Sequence, residues 1–109
     1  MTKAHLSAIF LVVAVGSGPA FAQKPNSAAR GKIVFGRCAG CHSADSADRK
    51  GGPGLKGLFK RGKLESTGQP PTTANVLKII NEGRSAMPPY KNSLNATERA
   101  DLLAYLRTL

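Results

Sequence analysis

Two thiols and an imidazole stand together in Cys38-Ala39-Gly40-Cys41-His42, and a thioether follows in the proline-flanked stretch Ala86-Met87-Pro88-Pro89. Several chemistries use a Cys-x-x-Cys pair. A dithiol redox site expects a βαβ setting, and this chain has no strand–helix alternation. Zinc needs about four nitrogen or sulfur ligands, whereas beyond residue 22 the chain offers only Cys38, Cys41 and His42. A disulfide between residues so close in sequence closes a very short loop and adds little. Cys-x-x-Cys-His is, by contrast, the attachment pattern of a c-type haem. In that chemistry Cys38 and Cys41 bond covalently to the porphyrin edge, and His42 binds the iron from one face.

The N-terminal segment bears on the second axial ligand. Lys3 precedes an apolar run from Leu6 to Val15, then Gly16-Ser17-Gly18-Pro19 and Ala20-Phe21-Ala22. A basic start, a short apolar core and an A-x-A ending form a secretory signal peptide. The run is about half the ~20 residues needed to cross a bilayer. Residues 1–22 are therefore expected to be cleaved, which predicts an exported, periplasmic protein with no membrane span, and a single domain over residues 23–109; an uncleaved N-terminal anchor is the alternative. Met1 and His5 leave with the signal. One histidine and one methionine then remain, His42 and Met87, so a second histidine ligand from this chain is impossible. A core methionine fills gaps at a periodic position on an element. Met87 sits instead in a rigid loop, as an axial ligand would; lysine coordination or an open site are the alternatives. His/Met ligation raises the reduction potential and leaves no position open for a substrate. It points to one-electron transfer rather than catalysis.

The 16 Lys and Arg against 6 Asp and Glu give a formal charge of +10, or +9 without Lys3. Nucleic acid is one partner class for such charge. The exported context and the lack of an aromatic-rich stripe argue against it, and acidic redox partner proteins or an anionic membrane surface fit better. Lys56, Lys60, Arg61, Lys63, Arg84 and Lys91 flank the haem-binding segments; they either surround an accessible haem edge and steer partners or are simply a solvated surface. So small a domain has a limited core, and an apolar cofactor supplies burial that the chain lacks. Poor folding without haem is the expectation.

The pattern predicts short helices and much loop. One helix runs from about Ser27 to Ala39, capped by Ser27 or Asn26 and leading directly into the cysteine motif. Gly31 inside it costs roughly 1 kcal/mol against Ala, so close approach of another backbone is expected there. Leu55, Leu58 and Phe59 form a short inward-facing turn, with Lys56, Lys60, Arg61 and Lys63 facing out. A second helix spans about Ala74–Glu82, with Thr72 or Thr73 as cap, Val76, Ile79 and Ile80 as its apolar stripe, and Gly83 as its stop. Asn95 and Glu98 form a capping box for a last helix reaching about Thr108, with Leu102, Leu103, Tyr105 and Leu106 on its apolar face. Gly51-Gly52-Pro53-Gly54 is turn-rich and can lie flat against a ligand. The Pro53 carbonyl is a candidate acceptor for the second ring N–H of His42; an ordinary surface turn is the alternative.

Gly31-x-x-x-Phe35-x-x-Cys38-x-x-Cys41-His42, Gly52-Pro53-x-Leu55, Met87-Pro88-Pro89 and Leu102-x-x-Tyr105-Leu106 resemble the small monohaem class I c-type cytochromes over nearly all of residues 23–109. The resemblance implies an all-α fold of three to four short helices and loops around one haem, with the first and last helices crossing so that Gly31 and Phe35 meet Leu102 and Tyr105. It implies one covalent haem c on Cys38 and Cys41, with His42 and Met87 as axial ligands and Pro53 supporting His42. It further implies a monomeric, non-enzymatic electron carrier between a dehydrogenase or respiratory complex and an acceptor such as an oxidase. The alternatives are a haem subunit dedicated to one oxidoreductase, or a haem-based peroxidase or gas sensor. The chain departs from some relatives in lacking tryptophan, which they use to bond a haem propionate; Arg61, Lys63 or Tyr90 are the substitutes on offer.

Overall fold

In a computed structural model, residues 26–109 are described together with Val12, Val13 and Gly16. The predicted signal peptide, residues 1–22, lies outside the described residues save for those three. The described residues form three α-helices: α1 (Ser27–Phe35), α2 (Thr73–Glu82) and α3 (Ala96–Leu106), with a 3₁₀ turn at Leu58–Lys60 between α1 and α2. Among the described residues there is no strand, only an isolated bridge between Arg84 and Met87. No described helix is long and apolar enough to cross a membrane.

Each helix starts where a short polar side chain satisfies an otherwise unpaired N–H. Asn26 Oδ1 accepts from the Ala29 amide at 2.8 Å for α1, and Thr72 Oγ1 accepts from the Asn75 amide at 3.1 Å for α2. For α3, Asn95 accepts from the Glu98 amide at 2.8 Å while the Glu98 carboxylate accepts from the Asn95 amide at 3.2 Å, completing the capping box.

Two helices end earlier than the pattern predicts. α1 stops at Phe35 rather than Ala39, because the Gly36 and Arg37 amides turn to carbonyls three residues back, Ile33 and Val34, both at 3.1 Å. Such bonds tighten the last turn and break the α register. The chain nevertheless keeps coiling. The Ala39 amide reaches the Phe35 carbonyl at 3.0 Å and the His42 amide reaches the Cys38 carbonyl at 2.9 Å. α3 stops at Leu106, since the Thr108 amide and hydroxyl both bond the Tyr105 carbonyl, at 2.9 and 2.6 Å.

The main helix–helix contact is α1 across α3. A Cβ on Gly31 would lie 1.9 Å from the Asp101 carbonyl oxygen and 2.7 Å from the Tyr105 Cβ. The glycine is therefore what lets the two backbones meet. One turn on, the Phe35 and Tyr105 rings pack with centroids 5.3 Å apart, tilted by 57°, within the favourable range for aromatic pairs. Beside the contact, Arg30 grips Asp101 with two bonds, Nε to Oδ2 at 2.9 Å and Nη2 to Oδ1 at 3.1 Å. The sequence pattern gave no sign of this pair. The buried core joins Phe35, Leu102, Leu103 and Leu106 of the crossing helices to Leu58, Leu64, Val76, Ile80 and Leu94 from the rest of the chain.

Candidate functional site

The helix crossing, α2 and the loops between them enclose a cavity of about 460 Å³, a size typical of cofactor pockets. Cys38, Cys41, His42, Pro53 and Met87 all line it. Residues as far apart in the chain as Cys38 and Met87 are thus brought to one space.

The Cys-x-x-Cys-His segment is held by the coil that extends α1. Against it lies the glycine-rich loop. The Gly52 amide bonds the Cys41 carbonyl at 2.7 Å, and the Leu55 amide bonds the Ser43 carbonyl at 2.8 Å. Lys50 Nζ adds a bond to the Ala39 carbonyl at 2.9 Å. Gly52 is required by proximity, since a Cβ there would sit 2.6 Å from Cε1 of His42. In this setting the Pro53 carbonyl oxygen lies 2.7 Å from His42 Nδ1. A carbonyl can only accept, so Nδ1 carries the proton and donates. That fixes the tautomer in which Nε2 keeps its lone pair for a metal. Of the two readings of the Pro53 turn, the structure has the supporting one.

Met87 is set by different means. Its amide and carbonyl pair with the carbonyl and amide of Arg84, at 2.9 and 3.0 Å, closing a tight turn over Ser85 and Ala86. Ser85 adopts φ of 52° there, a left-handed value uncommon for a residue with a Cβ. Just before it, Gly83 ends α2 with φ 71° and ψ 176°, a region essentially reserved for glycine. The Tyr90 amide then returns to α2 through the Ile80 carbonyl at 2.8 Å.

The wall between these groups is apolar. Val76, Ile79 and Ile80, which spacing alone left as either core or lining, all face the cavity, as do Leu58, Leu102 and Leu106. Burial pushes the Cys38 thiol above its ordinary range, partly opposed by the Arg37 guanidinium and reinforced by Cys41.

The charged residues differ from the sequence-based expectation. Arg61 does not face outward. It is half-buried, lines the cavity and donates from Nη2 to the Gly54 and Lys56 carbonyls at 2.7 Å each. Arg84 and Tyr90 also line the cavity, whereas Lys56, Lys60, Lys63 and Lys91 do not. Arg37, Arg49 and Glu65 line it too, and the sequence reading did not single them out. Arg37 was discoverable from its place next to Cys38. Arg49 and Glu65 lie in irregular loops whose path no periodicity reveals.

Among the described residues no group of three or more His, Cys, Asp and Glu side chains is arranged to hold a metal ion. The residues present do fit a covalently held haem. Two thiols, a histidine held with Nε2 available and a thioether share one apolar cavity of suitable size.

Comparison with known proteins agrees with this fit. The Cytochrome c family model matches residues 28–109. Cytochrome c of Nigella damascena is 33% identical over 98 residues, covering 75% of this chain and 88% of its own length. Cytochrome c of Ginkgo biloba is 33% identical over 92 residues (70% and 81%), and that of Sesamum indicum 34% over 92 residues (70% and 83%). The crossing helices, the attachment motif and the shared cavity therefore have a common explanation: the chain belongs to the cytochrome c family, is a small class I c-type cytochrome that binds one covalent haem c, and is a haem-based electron carrier.

Proposed function

We propose that this protein is a one-electron carrier of the periplasm in which Cys38 and Cys41 would hold haem c covalently and His42 and Met87 would ligate its iron. The observation that carries this reading is the gathering of all four side chains around one cavity, with His42 oriented by the Pro53 carbonyl. When bound, haem c supplies a one-electron iron couple. The chain's part is to hold and tune it. The two cysteines fix the macrocycle as thioethers. His42 presents Nε2, because Nδ1 is engaged. Met87 would supply a soft sulfur ligand, which favours the reduced state. Leu58, Val76, Ile80, Leu102 and Leu106 exclude water and keep the local dielectric low. Arg61 and Tyr90 are the cavity-lining candidates to face the propionates; Lys63 is set aside because it does not line the cavity.

With both His42 and Met87 as ligands no position would be open to a substrate, which supports shuttling without catalysis. The formal charge of +9 that remains without Lys3 supports partners with an acidic docking face, the chain acting as a monomer. Expression with c-type haem maturation tests the reading. Haem colour should survive acid–acetone extraction in the wild type and be extracted from Cys38→Ser/Cys41→Ser. Fractionation should place the holoprotein in the periplasm. Stopped-flow transfer to an acidic partner should slow as salt rises. Extractable haem, or a salt-independent rate, would count against the attachment or the steering respectively.

A further inference from the structure

The lining of the cavity has an uneven charge pattern. Among the described residues that line it are four arginines, Arg37, Arg49, Arg61 and Arg84, and one carboxylate residue, Glu65. Arg61 is committed to two backbone carbonyls. Arg37 donates to the Ser93 carbonyl at 2.8 Å and lies 3.8 Å from Glu98. Arg49 alone is paired with Glu65, and this ion pair ties the loop after the attachment motif to the loop before α2.

The side chains of Arg49 and Glu65 are 61% and 50% exposed. Pairs so open to solvent contribute little to stability, so a purely structural role is a poor account of why they sit at the cavity. Their position gives them an electrostatic one. Adding an electron inside the cavity adds negative charge, which a carboxylate on the wall opposes and a guanidinium favours. Resting on the reading that this cavity holds the haem, we infer that Arg49 and Glu65 form an opposed couple that tunes the reduction potential, Glu65 holding it down and Arg49 holding it up. While paired, the two contributions largely cancel. Removing either side chain's charge uncovers the other.

The sign of each effect separates this role from simple loosening of the cavity. Water admitted by a broken latch would move both single variants in the same direction. Electrostatic tuning moves them in opposite directions. Because both groups sit near solvent and are screened by salt, each single variant should shift the one-electron equilibrium against a fixed-potential mediator by roughly two- to threefold.

The test is spectroelectrochemical titration of the haem-loaded wild type, Glu65→Gln, Arg49→Gln and the double variant, at low and high ionic strength. The expected result is a raised potential for Glu65→Gln, a lowered one for Arg49→Gln, a double variant close to wild type, and smaller single-variant shifts at high salt. Both single variants moving together, or neither moving, overturns the tuning role while leaving the haem site intact. A wild type that takes up no haem overturns the tuning role together with the reading beneath it.

Discussion

The backbone of Gly83 lies directly against the backbone of Met87: a Cβ on the glycine would stand 2.5 Å from the Met87 carbonyl oxygen and 2.8 Å from the Pro88 carbonyl carbon. The residue that stops α2 is thus also the seat of the Met87 turn. Its φ of 71° with ψ of 176° is closed to other residue types. Gly83→Ala is therefore expected to displace Met87 without touching the attachment motif. Haem should remain covalently bound, the sulfur-to-iron absorption band should weaken or vanish, and the potential should fall. An unchanged visible spectrum would show that Gly83 does not position the sulfur.

Gly31 plays the matching part at the helix crossing. With its Cβ position 1.9 Å from the Asp101 carbonyl oxygen, even alanine requires α1 and α3 to separate. Overpacking of this kind costs ~1–3 kcal/mol or more. Gly31→Ala should lower stability by at least about 2 kcal/mol, read as a shifted midpoint in guanidinium unfolding of the holoprotein. A midpoint equal to wild type would mean that the crossing is looser than described.

Arg30 and Asp101 predict a dependence on acid. The Arg30 hydrogen bond and charge hold the Asp101 carboxyl below its usual range, against the opposing effect of burial. The folded state thus binds the proton less readily than the unfolded chain, whose carboxyl titrates near 3.9. The stabilisation is complete above that value and is lost as pH falls below it toward the depressed folded-state value. Asp101→Asn should be less stable at neutral pH and show a shallower loss of stability between about pH 4 and pH 2. Parallel acid-unfolding curves for the two proteins would contradict this.

Gly52 bears on the histidine. A Cβ there would meet the His42 ring, 2.6 Å from Cε1 and 3.1 Å from Nδ1. Gly52→Ala should tilt the ring away from the Pro53 carbonyl and weaken a contact that orients metal-bound histidines, a class of change that typically costs 10–100-fold in metal affinity or activity. Resonance Raman of the iron–histidine stretch in the reduced protein should show a shift to lower frequency. An unshifted stretch would separate Gly52 from the orientation of His42.

Much of the fold was legible in the sequence because its signals are local. Asn95 with Glu98, Thr72 and Gly83 marked helix ends by their own hydrogen-bonding and backbone needs, and Gly31 announced a close contact by its cost. The four candidate site residues stand out in the sequence because few side chains offer sulfur or imidazole, and the fold brings them to one cavity. What escaped depended on distant parts of the chain. The early end of α1 is set by i−3 bonds at Gly36 and Arg37, and the grip of Arg30 on Asp101 spans most of the domain. Arg61 was read as outward-facing because charged side chains usually are; its place is decided by the Gly54 and Lys56 carbonyls, which only the folded loop brings within reach.

The central proposal is that His42 and Met87 would both ligate the iron of one covalently bound haem. The most direct measurement is the far-red spectrum of the oxidised holoprotein, wild type against Met87→Ala. The account predicts a sulfur-to-iron charge-transfer band in the wild type, its loss in Met87→Ala with the haem still covalently bound, and a sharply lower potential in the variant. A wild type without the band, or a band that survives removal of Met87, would contradict it.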